Sequence, residues 1–141
     1  MKICFVCFDN SKAIKAKEKL LKLYGSSAAN NSDVIVALGG DGFLLKTIHD
    51  YKEFNLPIYG MNLGSVGFLM NKYDEKNLIN NLQNVQKVKI KPLSMKAKNQ
   101  NNEIVKSLAF NEVSLIRETY QAAKLRIKIN GVIRIKELVC D

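Results

Sequence analysis

Asp41 is the residue whose position most directly suggests chemistry, because it lies inside a turn rich in glycine. The turn reads Gly39-Gly40-Asp41-Gly42 and comes directly after the apolar residues 34–38. A glycine turn between a strand and a helix brings backbone N–H groups up to a phosphate group. A carboxylate in such a turn can hold Mg²⁺ that bridges phosphates, or accept a proton from a hydroxyl group that attacks a phosphoryl group. Lys46, further along the predicted helix, would neutralise phosphate charge.

Two common phosphate-binding motifs nearly match here, and both fail at the same residue. Residues 40–47 follow the P-loop pattern G-x-x-x-x-G-K-[ST], and residues 40–45 follow the dinucleotide pattern G-x-G-x-x-G, but Leu45 stands where each needs glycine. A carboxylate between the glycines would also repel a pyrophosphate group. Asp41 therefore favours phosphoryl transfer over simple phosphate binding. The simpler alternative is that Asp41 only caps the helix.

A second glycine segment, residues 60–69, follows another short apolar run. Its residues of interest are Asn62, Gly64 and Phe68. The carboxyl ends of parallel strands share one edge of a sheet, and ligands of open α/β sheets bind at that edge. The sequence therefore predicts that the two glycine segments lie close together.

Asn111 and Glu112 form a third candidate site between the apolar runs 108–110 and 113–116. Asn can pair with both groups of an adenine edge, and Glu can accept hydrogen bonds from two ribose hydroxyl groups. The same pair also occurs at ordinary turns and β-bulges, so it remains ambiguous from the residues alone.

Strands and helices alternate through the first part of the chain. The predicted strands are residues 2–8, 34–38 and 57–61. The predicted helices are residues 11–24, capped by Asn10 or Ser11 and ended by Gly25, then 41 to about 51, and 74–82. This alternation predicts an α/β domain with a parallel, Rossmann-like sheet over residues 1–84.

From residue 85 the pattern changes to strands without helices between them. Strands are predicted at 85–90, 104–109, 113–116 and 125–129, with a turn at 99–102, so residues 85–141 form the beginning of a β-rich domain. The hairpin at Asn130-Gly131 is predicted to have a three-residue loop that pairs Ile127 with Ile133, because strand register follows the buried face. The chain stops at Asp141, directly after an apolar segment, which suggests a truncated domain.

Composition narrows the function classes. The formal net charge is +9, and 12 of the 22 basic residues lie between residues 87 and 137. No zinc-finger, RNP-type or helix-turn-helix motif accompanies this charge, so nucleic acid is not the expected partner. The charge indicates either small polyanionic ligands, such as ATP and dinucleotides, or simply a lysine-rich composition. No apolar run reaches membrane-spanning length, and no signal peptide is recognised, which predicts a cytoplasmic protein.

Cys4 and Cys7 would point to opposite faces of a strand and stay reduced.

The residues quoted above, in this order and spacing, resemble the NAD kinase family. The resemblance rests on Gly39-Gly-Asp-Gly42, on Gly60-Met-Asn-Leu-Gly-Ser-Val-Gly-Phe-Leu69 and on Asn111-Glu112, and it spans nearly the whole chain. It implies that ATP phosphorylates the 2′-hydroxyl group of the adenosine ribose of NAD to give NADP. It also implies a divalent metal, for which no residue is assigned as ligand, and a homodimer or homotetramer.

The resemblance further implies roles for individual residues. Asp41 would be the general base on the 2′-hydroxyl group, and the glycine turn would carry the phosphates. The implied NAD-binding residues are Asp41, Gly42, Lys46, Asn111, Glu112 and Asp141. Asn62, Gly64 and Phe68 would shape the pocket wall.

This chain departs from the family pattern at two places. Phe43 stands where the family usually has threonine, which removes a hydroxyl group. The family also continues beyond the aspartate at Asp141 into a T-x-x-G-S-T-A-Y segment that builds much of the site. The 141-residue chain is therefore expected to be inactive alone.

Other functions share parts of this pattern. Lipid kinases of the diacylglycerol type and phosphofructokinase-like kinases also carry a GGDG turn, but the lipid kinases have P-x-G-T-x-N-[DE] at the second segment. A non-catalytic nucleotide-binding fragment is the alternative from another class. The choice between ATP and polyphosphate, and between NAD and NADH, stays open.

Overall fold

The computed structural model describes residues 1–64 and 67–140 of the chain. The chain divides into two compact units, Met1–Lys89 and Ile90–Asp141. The first unit contains a four-stranded sheet with helices, and the second contains two two-stranded sheets. This confirms the predicted fold class, an α/β part followed by β strands.

The sheet of the first unit is parallel throughout. Its strands are β1 (Ile3–Cys7), β2 (Val34–Gly39), β3 (Ile58–Asn62) and β4 (Asn71–Lys72), hydrogen-bonded in that order. All six residues of β2 are buried. The unbroken apolar run of β2 suits a strand covered on both faces. The two-residue strand β4 was not predicted, since so short a segment leaves no pattern in the sequence.

Three α-helices accompany this sheet: α1 (Ser11–Tyr24), α2 (Asp41–Asp50) and α3 (Leu78–Asn84). The predicted cap of α1 is confirmed, because the Asn10 side chain accepts a hydrogen bond from the backbone N–H of Ala13 at 2.7 Å. Helix α3 begins later than predicted. Asp74, where the helix was expected to start, instead accepts hydrogen bonds from the side chain and backbone of Asn77 and from the backbone of Lys76. These bonds form a turn that competes with helix, and they hold the pKa of Asp74 below its usual value.

The main core lies on one face of the sheet. Val36 and Leu38 of β2 pack there with Leu20 of α1 and Leu78 of α3, and all four are almost completely buried. Helix α2 meets the sheet at Gly60, where a side chain would come within 3.2 Å of Leu44. The core thus fixes the ends of β2 and β3, from which the candidate site extends.

The three cysteines are free thiols, as predicted. Cys4 is buried and Cys7 half-buried, and burial raises the pKa of the Cys4 thiol above its usual value. No helix within residues 1–64 and 67–140 is long and apolar enough to cross a membrane.

The second unit consists of two antiparallel hairpins. Its strands are β5 (Leu93–Lys98) with β6 (Ile104–Ala109), and β7 (Ala123–Ile129) with β8 (Val132–Cys140). The predicted strands at 104–109 and 125–129 and the turn at 99–102 are confirmed. The predicted strands at 85–90 and 113–116 are wrong, since neither segment pairs with another strand. Their apolar residues are largely exposed, Ile116 by 89%.

The loop of the last hairpin also differs from the prediction. Asn130 and Gly131 have φ values of 52° and 80° and form a two-residue turn, so that Ile129 pairs with Val132 and Lys128 with Ile133. The predicted three-residue loop is therefore wrong. Irregularities on both sides of Ile127 shift the register and place Ile127 opposite Ile135. Bulges within the strands, and not the length of the loop, therefore bring apolar residues opposite one another.

Candidate functional site

The glycine turn lies where β2 passes into α2. Gly39 is the last residue of β2, Gly40 is the N-cap, and Asp41 begins the helix. A Cβ atom added to Gly40 or Gly42 would meet nothing within 4 Å, and neither residue has a positive φ. The fold therefore does not require glycine at these two positions. Their bare backbone leaves room for a ligand to approach the N-terminus of α2, where N–H groups and the helix dipole favour an anion.

Gly39 is a different case, because the fold itself excludes a side chain there. A Cβ atom at Gly39 would lie 2.9 Å from Cδ1 of Phe43. The Phe43 ring also meets Phe8 edge-on, with ring centroids 6.0 Å apart. Phe43 thus holds the first turn of α2 against the end of β2 by apolar contact, at the position where threonine was expected.

Asp41 connects the two glycine segments. Its Oδ2 atom accepts a hydrogen bond from the backbone N–H of Phe68 at 2.8 Å, and its Oδ1 atom accepts one from Leu69 at 3.2 Å. Asp41 is the only acidic residue in the first turn of α2. The N-cap of α2 is Gly40 and no side chain caps this helix end, so the Asp41 carboxylate bonds instead to the segment that follows β3.

Asn62 lies at the end of β3, beside the same turn. It is opposite Gly39 in the strand register, and its Oδ1 atom accepts a hydrogen bond from the backbone N–H of Gly64 at 2.8 Å. The next residue, Leu63, donates a backbone hydrogen bond to the Gly39 carbonyl at 2.9 Å. Phe68 is 92% exposed. The structure thus brings Asp41, Asn62, Gly64 and Phe68 to one edge of the sheet.

Lys46 is not brought to this turn. It is exposed on α2, and its ammonium group forms an ion pair with Asp50, one helical turn later. An exposed pair of this kind contributes little stability, so Lys46 can leave Asp50 for a charged ligand at small cost.

The remaining predicted site residues lie elsewhere in the chain. Asn111 and Glu112 follow β6 in the second unit, outside any strand, and both are exposed. Asp141 lies outside the described residues. Within residues 1–64 and 67–140 no group of three histidine, cysteine or acidic side chains is arranged to hold a metal ion.

Sequence reasoning missed two residues at this edge. Lys12 lies in the first turn of α1, and its ammonium group donates a hydrogen bond to the Leu63 carbonyl at the end of β3. Gly67 lies against both Asp41 and Asn62. The signal for Lys12 was present in the sequence, because a helix that follows a parallel strand begins at the carboxyl edge of the sheet. No local pattern distinguished Gly67 from the other glycines of its segment.

Comparisons with known proteins agree with one another. Residues 6–90 match the family model described as the ATP-NAD kinase N-terminal domain. The chain is 48% identical to an NAD kinase of Caulobacter vibrioides over 140 residues, which cover 99% of this chain and 54% of that protein. It is 49% identical to an NAD kinase of Rickettsia bellii over 140 residues, covering 99% and 55% of the two chains. The chain therefore spans about half the length of the curated relatives it matches.

Proposed function

Since the chain belongs to the NAD kinase family, we propose that the whole protein phosphorylates the 2′-hydroxyl group of the adenosine ribose of NAD, with ATP as donor, to give NADP. The observation that carries this proposal is the Asp41 carboxylate, held at a helix N-terminus between two glycines that the fold does not need. The family match does not favour the lipid kinase and phosphofructokinase-like alternatives.

In this proposal Asp41 is the general base. An ionised carboxylate has about four acceptor sites on its two oxygens. The N–H groups of Phe68 and Leu69 occupy one site on each oxygen, which leaves acceptor capacity for the ribose hydroxyl proton. The two backbone bonds also fix the direction of the carboxylate before the substrate arrives, which lowers the cost of orienting it during the reaction.

The other site residues contribute binding. Gly40 and Gly42 let the substrate approach the backbone closely, and Lys12 supplies positive charge near the same sheet edge. Lys46 leaves Asp50 to bind a charged group of the substrate. Asn62, Gly64 and Phe68 form the wall of the dinucleotide pocket, and Asn111 and Glu112 bind the adenosine part of NAD. Asp141 is a further NAD-binding residue. The net charge of +9 suits two polyanionic substrates.

A divalent ion, Mg²⁺, remains part of the proposal as a partner of the ATP phosphates. The described residues do not form a metal cage, and both oxygens of Asp41 already accept backbone hydrogen bonds. Mg²⁺ typically takes most of its ligands from water and substrate phosphates, with one or two carboxylates. No step of the reaction is therefore assigned to a metal ligand in this chain. The proposal includes a cytoplasmic homo-oligomer without nucleic-acid or membrane partners.

The experiment that tests the general base is Asp41→Asn in the full-length protein. We expect kcat to fall by about 10²–10⁴-fold, because general-base catalysis contributes about that much, while NAD binding stays within about tenfold of the original. The matched control is Asp33→Asn, since Asp33 also accepts a backbone N–H bond, from Lys2 at 2.6 Å, but lies directly before β2, at the opposite end of that strand from Asp41. An unchanged kcat in Asp41→Asn would remove the general-base role.

A second experiment addresses the alternative of a non-catalytic nucleotide-binding fragment. Residues 1–141 are expressed alone and supplied with NAD, ATP and Mg²⁺. We expect no NADP, because the chain spans about half the length of its relatives and the family pattern places further site residues beyond it. Turnover at the rate of the full-length protein would show that the described part suffices.

A further inference from the structure

We infer that Gly67 is a positioning residue for the NAD site: its lack of a side chain lets Asp41 and Asn62 close on the segment Gly67–Leu69 and hold Phe68 at the sheet edge before a nucleotide binds. The role given to Phe68 rests on the proposed function. The contacts that hold the segment do not.

The requirement for glycine at position 67 is one of space. A Cβ atom there would lie 3.1 Å from Oδ1 of Asp41 and 3.1 Å from Nδ2 of Asn62. Gly67 does not have a positive φ, so its backbone angles would accept alanine. The two polar side chains that a methyl group would crowd come from different elements, Asp41 from the first residue of α2 and Asn62 from the last residue of β3. Gly67 therefore sits where two site residues converge.

The neighbouring residues show what this close approach allows. Only when the segment lies against Asp41 can the carboxylate accept the N–H groups of both Phe68 and Leu69, at 2.8 and 3.2 Å. Hydrogen bonds to a charged acceptor are shorter and stronger than neutral ones. A methyl group at position 67 would push Asp41 Oδ1, the acceptor for Leu69, and would lengthen these bonds.

The consequence concerns Phe68. Its backbone N–H donates to Asp41, yet the residue is 92% exposed. A large apolar ring held on a fixed backbone beside a phosphate-binding turn suits a flat, stacking partner such as a nucleotide base. Because the backbone is already ordered, less conformational entropy is lost when that base binds. Asp41, the proposed general base, thus also holds Phe68 in position as a binding surface for the dinucleotide.

Hydrogen exchange on the full-length protein without any nucleotide tests the positioning role directly. In Gly67→Ala the amides of Phe68 and Leu69 should exchange about tenfold faster or more, since a hydrogen bond to a charged group is weakened. The amides of β2 should be unchanged. Asp41→Asn should accelerate the same two amides, and the control Asp33→Asn should not.

The double variant shows whether Gly67 acts through Asp41. If it does, Gly67→Ala adds little to the acceleration already caused by Asp41→Asn, so the two effects are not additive. Protection of Phe68 and Leu69 that is unchanged in Gly67→Ala, or fully additive effects, would overturn the inference. If Gly67→Ala does not fold, Asp41→Asn still tests the inference. Unchanged protection of the Phe68 and Leu69 amides in Asp41→Asn would overturn it.

Kinetics then separate this inference from the proposed function. Gly67→Ala should raise KM for NAD about tenfold while kcat falls less, because Asp41 keeps its carboxylate and Phe68 loses its position. If the unaltered full-length protein makes no NADP, the proposed function is refuted, while the result of the exchange experiment still stands. A change in kcat alone, with KM for NAD unaffected, would refute the role of Phe68 positioning.

Discussion

Replacing Gly39 by alanine is expected to destabilise the first unit more than the same replacement at its neighbour Gly40. The new methyl group at position 39 would lie 2.9 Å from Cδ1, 3.0 Å from Cβ and 3.1 Å from Cγ of Phe43. The ring can rotate, but the Cβ atom of Phe43 is fixed to the backbone of α2 and cannot. The first turn of α2 must therefore shift away from β2.

The size of the effect follows from two opposing terms. Forcing extra volume into a packed site costs about 1–3 kcal/mol. Alanine also restricts the unfolded chain, which stabilises the folded state by about 0.4–1 kcal/mol where the backbone angles are compatible. Gly39 has no positive φ, so both terms apply, and the middle of the two ranges gives a net loss of about 1.3 kcal/mol.

Native-state hydrogen exchange of the β2 amides measures this loss, because these amides are buried at the centre of the sheet. Gly40→Ala is the control: a methyl group there meets nothing within 4 Å and φ is −124°. The gain from restricting the unfolded chain is offset by the weaker preference for alanine at an N-cap, so stability should change by less than about 0.5 kcal/mol. In a Phe43→Ala background Gly39→Ala should cost less than it does in the original protein, since the ring contacts are gone and only the Cβ contact remains. Equal stabilities of Gly39→Ala and Gly40→Ala would refute the reasoning.

Three further predictions concern the scaffold around the site. Asn10→Ala removes the cap of α1 and should lower the free energy of unfolding by about 1 kcal/mol, as measured by urea denaturation followed by circular dichroism. In the same assay Leu38→Ala, at a fully buried position, should cost about 2–5 kcal/mol, and a loss below 1 kcal/mol would contradict the packing described. Burial and the hydrogen bond to Glu75 raise the pKa of Tyr73 from 10.0 to about 12, so the stability it contributes should be complete below pH 10.0 and disappear as the pH rises through about 12. Ultraviolet titration of Glu75→Gln should show a lower Tyr73 pKa, and an unchanged titration would exclude that contact.

The first unit was largely predictable because its signals are local. The unbroken apolar run of β2 indicated a strand buried on both faces, and the structure buries all six of its residues. Asn10 indicated the start of α1 because its side chain bonds a backbone group only a few residues away. Such signals depend on neighbours in sequence, which the chain itself supplies.

The second unit was less predictable because a strand needs a partner. Residues 113–116 are as apolar as β6, yet they pair with nothing in the described part of the chain. The Asn130-Gly131 turn took its preferred two-residue form, and the bulges around Ile127 then adjusted the register. The preference of Asn-Gly for a two-residue turn determined the loop. The bulges around Ile127 determined which side chains lie opposite one another. The predicted boundary after residue 84 and the roles of the site residues remain predictions.

By itself the sequence determined that a carboxylate would stand inside a glycine turn between a strand and a helix, because strand, turn and helix each follow from residues next to one another. Only the tertiary structure decided what that carboxylate touches. The N–H groups that Asp41 accepts belong to Phe68 and Leu69, 27 and 28 residues later, and they reach it because β2 and β3 end at the same edge. Tertiary structure likewise placed Gly67 between the side chains of Asp41 and Asn62, where an added side chain would have little space. Contacts between distant segments depend on how the sheet is assembled, and no local pattern encodes them.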